Sequence, residues 1–267
     1  MPKMQTALGR LNSTEALSEK NTCVHRLHPA VKTVITVIYI LCVISYNRYQ
    51  LNGLITLAVL PFIVMPLAEI PISAIVKRML VALPFALLAA ISNLIFDTKT
   101  VFFIKGFAVT FGMLAFGSVI IKTALTVTAV LLLVSTTPFT KLLAVVQAVH
   151  LPQVLIMQLT LTQRYIYVLV EEAQSTYTAY RLRAGNVKGV QIRDMGTLLG
   201  GLLLRSIHRA ERIYNAMHCR GFKGEYPAQT IKKVSVTDIF TLVAALSVLA
   251  VLRFIPIAEL LGKVLFF

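Results

Sequence analysis

Charge is scarce in this sequence. Only 14% of its 267 residues are Asp, Glu, Lys or Arg and 57% are hydrophobic, against about 25% and about 45–50% in ordinary soluble chains. With a mean hydropathy of +0.78, that shortage excludes a water-soluble enzyme. Acidic residues are rarest, 11 against 26 basic ones. Cysteine is nearly absent: Cys23, Cys42 and Cys219 are odd in number, far apart and without C-x-x-C spacing, which excludes a disulfide scaffold and reads as free thiols. No G-x-x-x-x-G-K-[ST] occurs, so the chain lacks that device for cradling ATP phosphates. The first thirty residues are polar, and the apolar run that begins near Val31 has no small-residue cleavage pattern, so no cleavable signal is expected.

What the chain has instead is long apolar blocks, such as Leu54–Ala68, Met79–Phe96 and Ile239–Leu252. A spanning helix needs about 20 apolar residues. Val31–Tyr46 is slightly short but can be extended by snorkelling of Lys32 and Arg48. Leu51–Ile70 carries Pro61 and Pro66, tolerable where neighbouring helices satisfy the freed carbonyls. Met79–Phe96 follows Lys77 and Arg78 and ends at the polar turn Asp97–Thr100. Val101–Pro138, broken only by Lys105 and Lys122, could be two spans or one long bent or partly in-plane helix; the single crossing is preferred because the twelve basic groups that follow then lie inside the cell, and the cost of a mid-bilayer charge agrees. The last span is expected at about 238–254, interrupted near its end by Arg253 and followed by a terminal apolar segment. The net charge of +15 fits the positive-inside bias better than nucleic-acid binding, since the basic residues flank apolar spans and no nucleic-acid fold is recognisable. Lys3, Arg10, Lys20, Arg26 and Lys32 precede the first span, Lys77 and Arg78 follow the second, and residues 164–233 hold twelve basic groups. All three clusters are cytoplasmic if the N-terminus is cytoplasmic and four crossings precede the third. The expected fold is an all-α integral membrane protein of about five spans with long amphipathic cytoplasmic helices. Its expected divisions are 1–30, a cytoplasmic N-terminal segment; 31–138, four spans; 139–233, the cytoplasmic helical region; and 234–267, the C-terminal membrane segment.

Gln153–Gly185 and Val187–Gly221 each have the length of a long helix, too polar to span. Pro152 suits the start of the first and Gly221 the end of the second. In the second, Leu199, Leu202, Leu203, Ile207, Ala210, Ile213, Tyr214 and Met217 recur at helical spacing, apart from Arg205, Arg209 and Arg212. The two helices also end alike. Residues 173–184 align with residues 210–221 in the pattern A-[QE]-x-x-Y-x-A-x-x-x-R-[AG], offset by 37 positions. Each copy sets an arginine at the last helical turn, where the helix dipole favours a cation. Two related projections suggest a paired receptor, and a guanidinium forms bidentate pairs with carboxylates that lysine does not.

Residues 216–222 (Ala-Met-His-Cys-Arg-Gly-Phe) resemble the second signature of the transmembrane T component of energy-coupling-factor transporters, the EcfT/CbiQ family, and residues 179–185 (Ala-Tyr-Arg-Leu-Arg-Ala-Gly) resemble the first. Supporting matches run through most of the chain: residues 25–32, Ser135–Pro138, Leu151-Pro152, Arg164-Tyr165-Ile166 and Glu171-Glu172-Ala173. The resemblance implies a non-catalytic permease subunit in a bacterial or archaeal cell membrane. Its cytoplasmic coupling helices cross, the arginine at each tip docks in a groove of one of two ATPase subunits, and the same helices hold a membrane-embedded substrate-binding component. Carried onto this chain, Arg183 and Arg220 are the ATPase-docking residues, and Ala179, Ala184, Ala216 and Gly221 permit close approach. The first signature departs from the family in having Ala184 after Arg183, so Arg181 can share the docking role. Residues 218–227 lean toward the cobalt/nickel branch; a T component for vitamins is the alternative.

Other features carry less. His25, His28, His150, His208 and His218 lack a third convergent ligand, so no metal and no cofactor of the chain's own is expected. Gly196 and Gly200 form a weak G-x-x-x-G whose bland meaning is close helix packing. Glu69 and Asp97 read as solvated span ends. A polytopic membrane enzyme would need converging catalytic groups, and a stand-alone secondary carrier inverted repeats. The echo here is parallel and lies between the spans.

Overall fold

Pro29 stands at the first position of the first long helix, where a missing N–H costs nothing, and the side chain of His28 caps it by accepting from Ala30 N at 3.2 Å. In the computed structural model of the chain, residues 22–47, 51–96, 100–104, 107–148, 152–185, 189–224 and 234–254 are described. The expectations resting on Lys3, Arg10, Lys20, Arg48, Asp97, Lys99, Lys105, His150, Lys188, Lys232, Lys233 and the chain beyond Phe254 lie outside these residues. A short helix α1 (Cys23–Arg26) precedes α2 (Pro29–Ser45), α3 (Leu51–Leu67) and α4 (Ile72–Phe96). A hairpin β1 (Thr100–Ile104) and β2 (Phe107–Thr110) leads into α5 (Phe111–Thr136) and α6 (Phe139–Ala148). Then follow α7 (Gln153–Ala184), α8 (Ile192–Cys219) and α9 (Val236–Phe254). The chain divides into two compact units, the described residues of Leu143–Ile231 and those of Ser13–Leu142 with Lys232–Phe267.

The second unit is a bundle of α2, α3, α4, α5 and α9. Helices α4, α5 and α9 are long and apolar enough to cross a membrane; α2 and α3, at 17 residues each, are shorter apolar helices of the same bundle. On α4 and the first half of α5, small residues face inward. Ala86 and Ala90 of α4 are buried while Phe85 is 74% exposed, and α5 buries Gly112, Ala115 and Ser118. That inversion is membrane logic, since lipid solvates large apolar side chains and close helix approach needs small ones.

Helix directions follow from named bonds. Lys32 Nζ, near the start of α2, donates to Thr136 O at the end of α5 at 2.9 Å and to His25 O at 3.1 Å. Lys122 Nζ, in α5, donates to Tyr46 O just past the end of α2 at 2.6 Å. Each lysine thus satisfies a carbonyl that the other helix leaves open at its C-terminus, and the two helices run antiparallel. Asp238 at the start of α9 accepts from the backbone N–H of His28 and of Ser235, both at 3.0 Å. At the other end of α9, Arg253 stacks 4.0 Å over the Tyr46 ring, so α9 runs parallel to α2. The end of α3 (Met65, Ala68) packs with Leu132 and Ile75 in one cluster, and its start (Leu54, Leu57) with Tyr39, Val43, Tyr46 and Leu249 in another. One end of the bundle therefore collects the starts of α2, α4 and α9 and the ends of α3 and α5.

Pro61 deprives Leu57 O of its helical donor, and Tyr39 Oη donates to that oxygen at 3.2 Å. This is the rescue expected of a proline in a spanning helix. Gly53 is required by the same packing, because a Cβ there would collide with the Tyr46 ring.

Two expectations need correction. Val101–Pro138 is not one helix. Thr100–Ile104 and Phe107–Thr110 pair antiparallel, with Phe102 opposite Val109 and Ile104 opposite Phe107, and among the segment's described residues only Phe111–Thr136 is helical. The runs Thr-Val-Phe-Phe-Ile and Phe-Ala-Val-Thr are β-branched and aromatic and flank Lys105-Gly106, a strand-turn-strand composition that hydropathy alone hides. The other elements among the described residues are helices. Lys77 and Arg78 do not precede the third span; they lie inside α4, which starts at Ile72.

Candidate functional site: two crossed helix tips

Helix α7 spans 32 residues and α8 spans 28, about 48 and 42 Å at 1.5 Å per residue. They meet through polar side chains. Glu172 accepts from Arg209 at 2.8 Å and pairs with Arg205 Nε at 3.1 Å. Arg205 also donates to Thr176 Oγ1 at 2.7 Å, and Tyr180 Oη donates to Asp194 at 2.7 Å. As the partner number rises on α7 it falls on α8, so the helices run antiparallel. The bond to Asp194 holds the proton on Tyr180 and raises its pKa.

Glu172 and Arg209 are 37 residues apart, the same offset as the repeat. This one contact therefore joins equivalent positions of the two copies. From that crossing, Arg183 lies eleven residues along α7 and Arg220 eleven residues along α8 in the opposite direction. Each arginine stands about 16 Å from the crossing.

The sequence-identified residues lie at these ends. Arg181, Arg183, Ala179, Arg220, Ala216 and Gly221 are exposed, and Ala184 is half-buried. Ala179 and Ala216 each sit one turn before an arginine, on the same side of the helix. The second tip has a specific terminator. Gly221 adopts φ +82°, its N–H donates to His218 O at 3.0 Å, and Phe222 N–H donates to Met217 O at 3.1 Å. This paired pattern needs a left-handed residue just past the helix, and it leaves Arg220 at the cap with its side chain exposed. The Arg-Gly of the signature is thus a helix stop with a guanidinium on it. At the first tip the positive-φ glycine is Gly185, φ +62° and ψ −121°. Arg183 is the last-but-one residue of α7, whereas Arg220 is the cap residue just past α8. Arg181 is exposed in the same turn.

The crossing itself was not legible as a site. Arg205 and Arg209 were expected on a separate polar face of α8, yet they face α7. The apolar face is the one left outward: Leu199, Leu203 and Ile207 are exposed, and no residue of α8 is buried. Gly196 and Gly200 meet nothing within 4 Å, so they are not packing glycines within this chain. Leu182, between the two arginines of α7, is 81% exposed. The opposite charges of Glu172 and Arg209 at repeat-equivalent positions were the signal that could have found the crossing. Cys219 is an exposed free thiol beside Arg220, and Cys42 is half-buried in α2. Among the described residues no three His, Cys, Asp or Glu side chains converge.

Comparison with known proteins agrees with this architecture. The family CbiQ, described as "Cobalt transport protein", matches residues 20–231. The chain is 36% identical over 113 residues to Nickel permease LarQ of Lactiplantibacillus plantarum, covering 42% of this chain and 41% of that protein. It is 33% identical over 94 residues to Cobalt transport protein CbiQ of Rhodobacter capsulatus, covering 35% of this chain and 38% of that one. These alignments span about two fifths of each relative's length. A longer one, 24% identical over 245 residues, covers 85% of this chain and 90% of the energy-coupling factor transporter transmembrane protein EcfT of Ruminiclostridium cellulolyticum.

Proposed function

Because the chain belongs to the CbiQ family of cobalt transport proteins, we propose that it is the energy-coupling permease subunit of an ATP-driven transporter taking up cobalt or nickel. The bundle end carrying His28, Lys32, Lys77 and Arg78 is cytoplasmic, as the positive-inside bias requires, and the basic segment 164–233 is cytoplasmic by the same bias. Arg183 and Arg220 each enter an acidic groove of one of two ATPase subunits, with Arg181 able to support the first contact. Ala179, Ala184, Ala216 and Gly221 keep the surrounding surface low enough for the groove walls to close on the guanidinium. ATP binding draws the two ATPases together, the tips follow, and the crossing angle at Glu172–Arg209 changes. The outward apolar face of α8 transmits that rotation to a membrane-embedded substrate-binding component. ATP is hydrolysed on the partners, not on this chain.

The observation that carries this reading is the crossing of two repeat-related helices at equivalent residues, with an exposed guanidinium the same distance along each. A pair of equivalent ends matches a pair of equivalent subunits. An arginine anchor at the centre of an interface is worth about 2 kcal/mol or more, about a thirtyfold change in affinity. Arg220→Ala should therefore abolish most ATPase co-purification and uptake while membrane insertion persists; normal assembly of the Arg183→Ala, Arg220→Ala double variant refutes the reading. A variant keeping only Cys219 reports sidedness, since an impermeant maleimide should label it in inverted vesicles alone. Uptake of labelled cobalt, nickel and vitamins by the reconstituted complex assigns the cargo.

A further inference from the structure

A cavity of about 610 Å³ opens in the bundle between α2, α3, α5 and α9. The activity proposed above does not use it. Its walls include Ile35, Leu60, Leu133, Ala245 and Leu252. The hydroxyls that line it, Thr36, Thr136 and Thr241, are each bonded to a carbonyl of their own helix, Lys32 O, Leu132 O and Asp238 O, so they present no free donor and the wall is apolar. The cavity opens sideways. Val59 and Ile63 on α3 and Val248 on α9 line it and are about half exposed, on the surface that faces lipid hydrocarbon. From Thr241 to Leu252 it runs eleven residues along α9, about 16 Å, close to half of the ~30 Å hydrocarbon core.

One end is basic. Lys32 is among the lining residues, and its ammonium is bonded to His25 O and Thr136 O at that end. Arg26, beside the lining residue Leu27, and Lys141, five residues beyond Thr136, are exposed at the same end of the bundle.

We propose that this groove holds one acyl chain of an anionic phospholipid from the leaflet on the Lys32 side, its phosphate held by Lys32, Arg26 and Lys141. A partner helix fits less well. It would bring side chains to the apolar wall but no phosphate to the basic end, whereas a phospholipid supplies both and its chain can enter through the lateral mouth. Basic pockets between spanning helices on the cytoplasmic side recognise anionic headgroups by this combination. The inference does not depend on where Arg183 and Arg220 dock.

The chain contains no tryptophan, so one introduced indole reports alone. Ile63→Trp places it at the rim; Phe62→Trp places it on exposed lipid-facing surface off the groove. The full chain is reconstituted in phosphatidylcholine vesicles containing brominated phosphatidylglycerol, or brominated phosphatidylcholine as the control. The rim reporter should reach half-quenching at about fivefold lower mole fraction of the anionic lipid than of the zwitterionic one, and Phe62→Trp should not discriminate. Filling the groove with Ala245→Phe, or closing it from the exposed rim with Val248→Phe if the first does not fold, should abolish the preference. Equal quenching by both lipids at the rim, or a preference that survives a correctly folded Val248→Phe, overturns the proposal. So does a preference that disappears when the ATPase and substrate-binding components are assembled, because the groove then belongs to a partner.

Discussion

Neutralising Glu172 tests the crossing directly. Its side chain is 17% exposed, against 34% for Arg209 and 50% for Arg205. An exposed ion pair contributes about 0.2–1 kcal/mol, and a hydrogen bond to a charged group about 1.5–3 kcal/mol. The Glu172–Arg209 pair, between these limits, should show a coupling energy of about 1–2 kcal/mol in a double-mutant cycle. Arg209 Nε is buried without a hydrogen-bond partner, so removing the carboxylate leaves that guanidinium worse served still. The mechanical effect should exceed the thermodynamic one. With each tip about 16 Å from the crossing, loosening the angle by about 10° displaces an arginine by about 3 Å, enough to miss a groove built for a fork. Glu172→Gln is therefore expected to lower the thermal midpoint of the solubilised chain by a few degrees and to lower cargo transported per ATP hydrolysed several-fold, with both ATPases still bound. The reversed pair Glu172→Arg, Arg209→Glu should recover most of the loss, because the carboxylate moved to α8 can meet both the guanidinium moved to α7 and that of Arg205. A coupling energy below about 0.3 kcal/mol, the additivity error, would show that the helices do not pivot there.

Three further substitutions probe the scaffold. Gly221→Ala, at φ +82°, forces a side chain into the left-handed region at about 1–2 kcal/mol; it should weaken ATPase co-purification although Arg220 is intact, with Gly221→Asn milder, and unchanged affinity would separate the glycine from docking. Tyr39→Phe leaves Leu57 O, freed by Pro61, without its donor, and should cost about 1–3 kcal/mol; an unchanged thermal midpoint would mean the carbonyl needs no rescue. Lys122→Met removes the 2.6 Å bond to Tyr46 O and should destabilise by a similar amount while leaving ATPase binding alone; loss of ATPase binding without destabilisation would contradict a purely structural role.

Hydropathy made the bundle legible because bilayer thickness fixes span length and few other structures need such runs. It failed at Val101–Thr110, where residues equally apolar are β-branched and aromatic and pair as a hairpin: average hydropathy does not distinguish a strand from a helix, and the period of so short a run is ambiguous. It also misplaced Lys77 and Arg78, since charges inside the first turns of a spanning helix look like a preceding loop. Lys122 was read as a sign of a partly in-plane segment and Lys32 as a snorkelling residue, but each caps the C-terminus of a neighbouring helix, a bond formed across 76 and 104 residues that no local pattern announces.

The tips were legible because a helix end is a local event, written in the few residues that stop it. Gly221 and Gly185 both take positive φ, and the one-residue difference in where they follow the arginine is visible in sequence as Arg220-Gly221 against Arg183-Ala184-Gly185. Aligned on the repeat, Arg183 matches Arg220; aligned on the stopping glycine, Ala184 does. Both alignments cannot describe docking. If the groove reads distance from the crossing, the repeat alignment governs and Arg183 engages from within its helix. If the groove reads the exposed cap, Arg183 stands short of it and Arg181 or Leu182 shares the contact. The double substitution Ala184→Gly, Gly185→Ala puts the stopping glycine directly after Arg183 and so restores the geometry of the second tip at the first. Tighter ATPase binding by that variant means the cap is what the partner recognises; binding unchanged within about twofold means eleven residues of helix is the measured quantity.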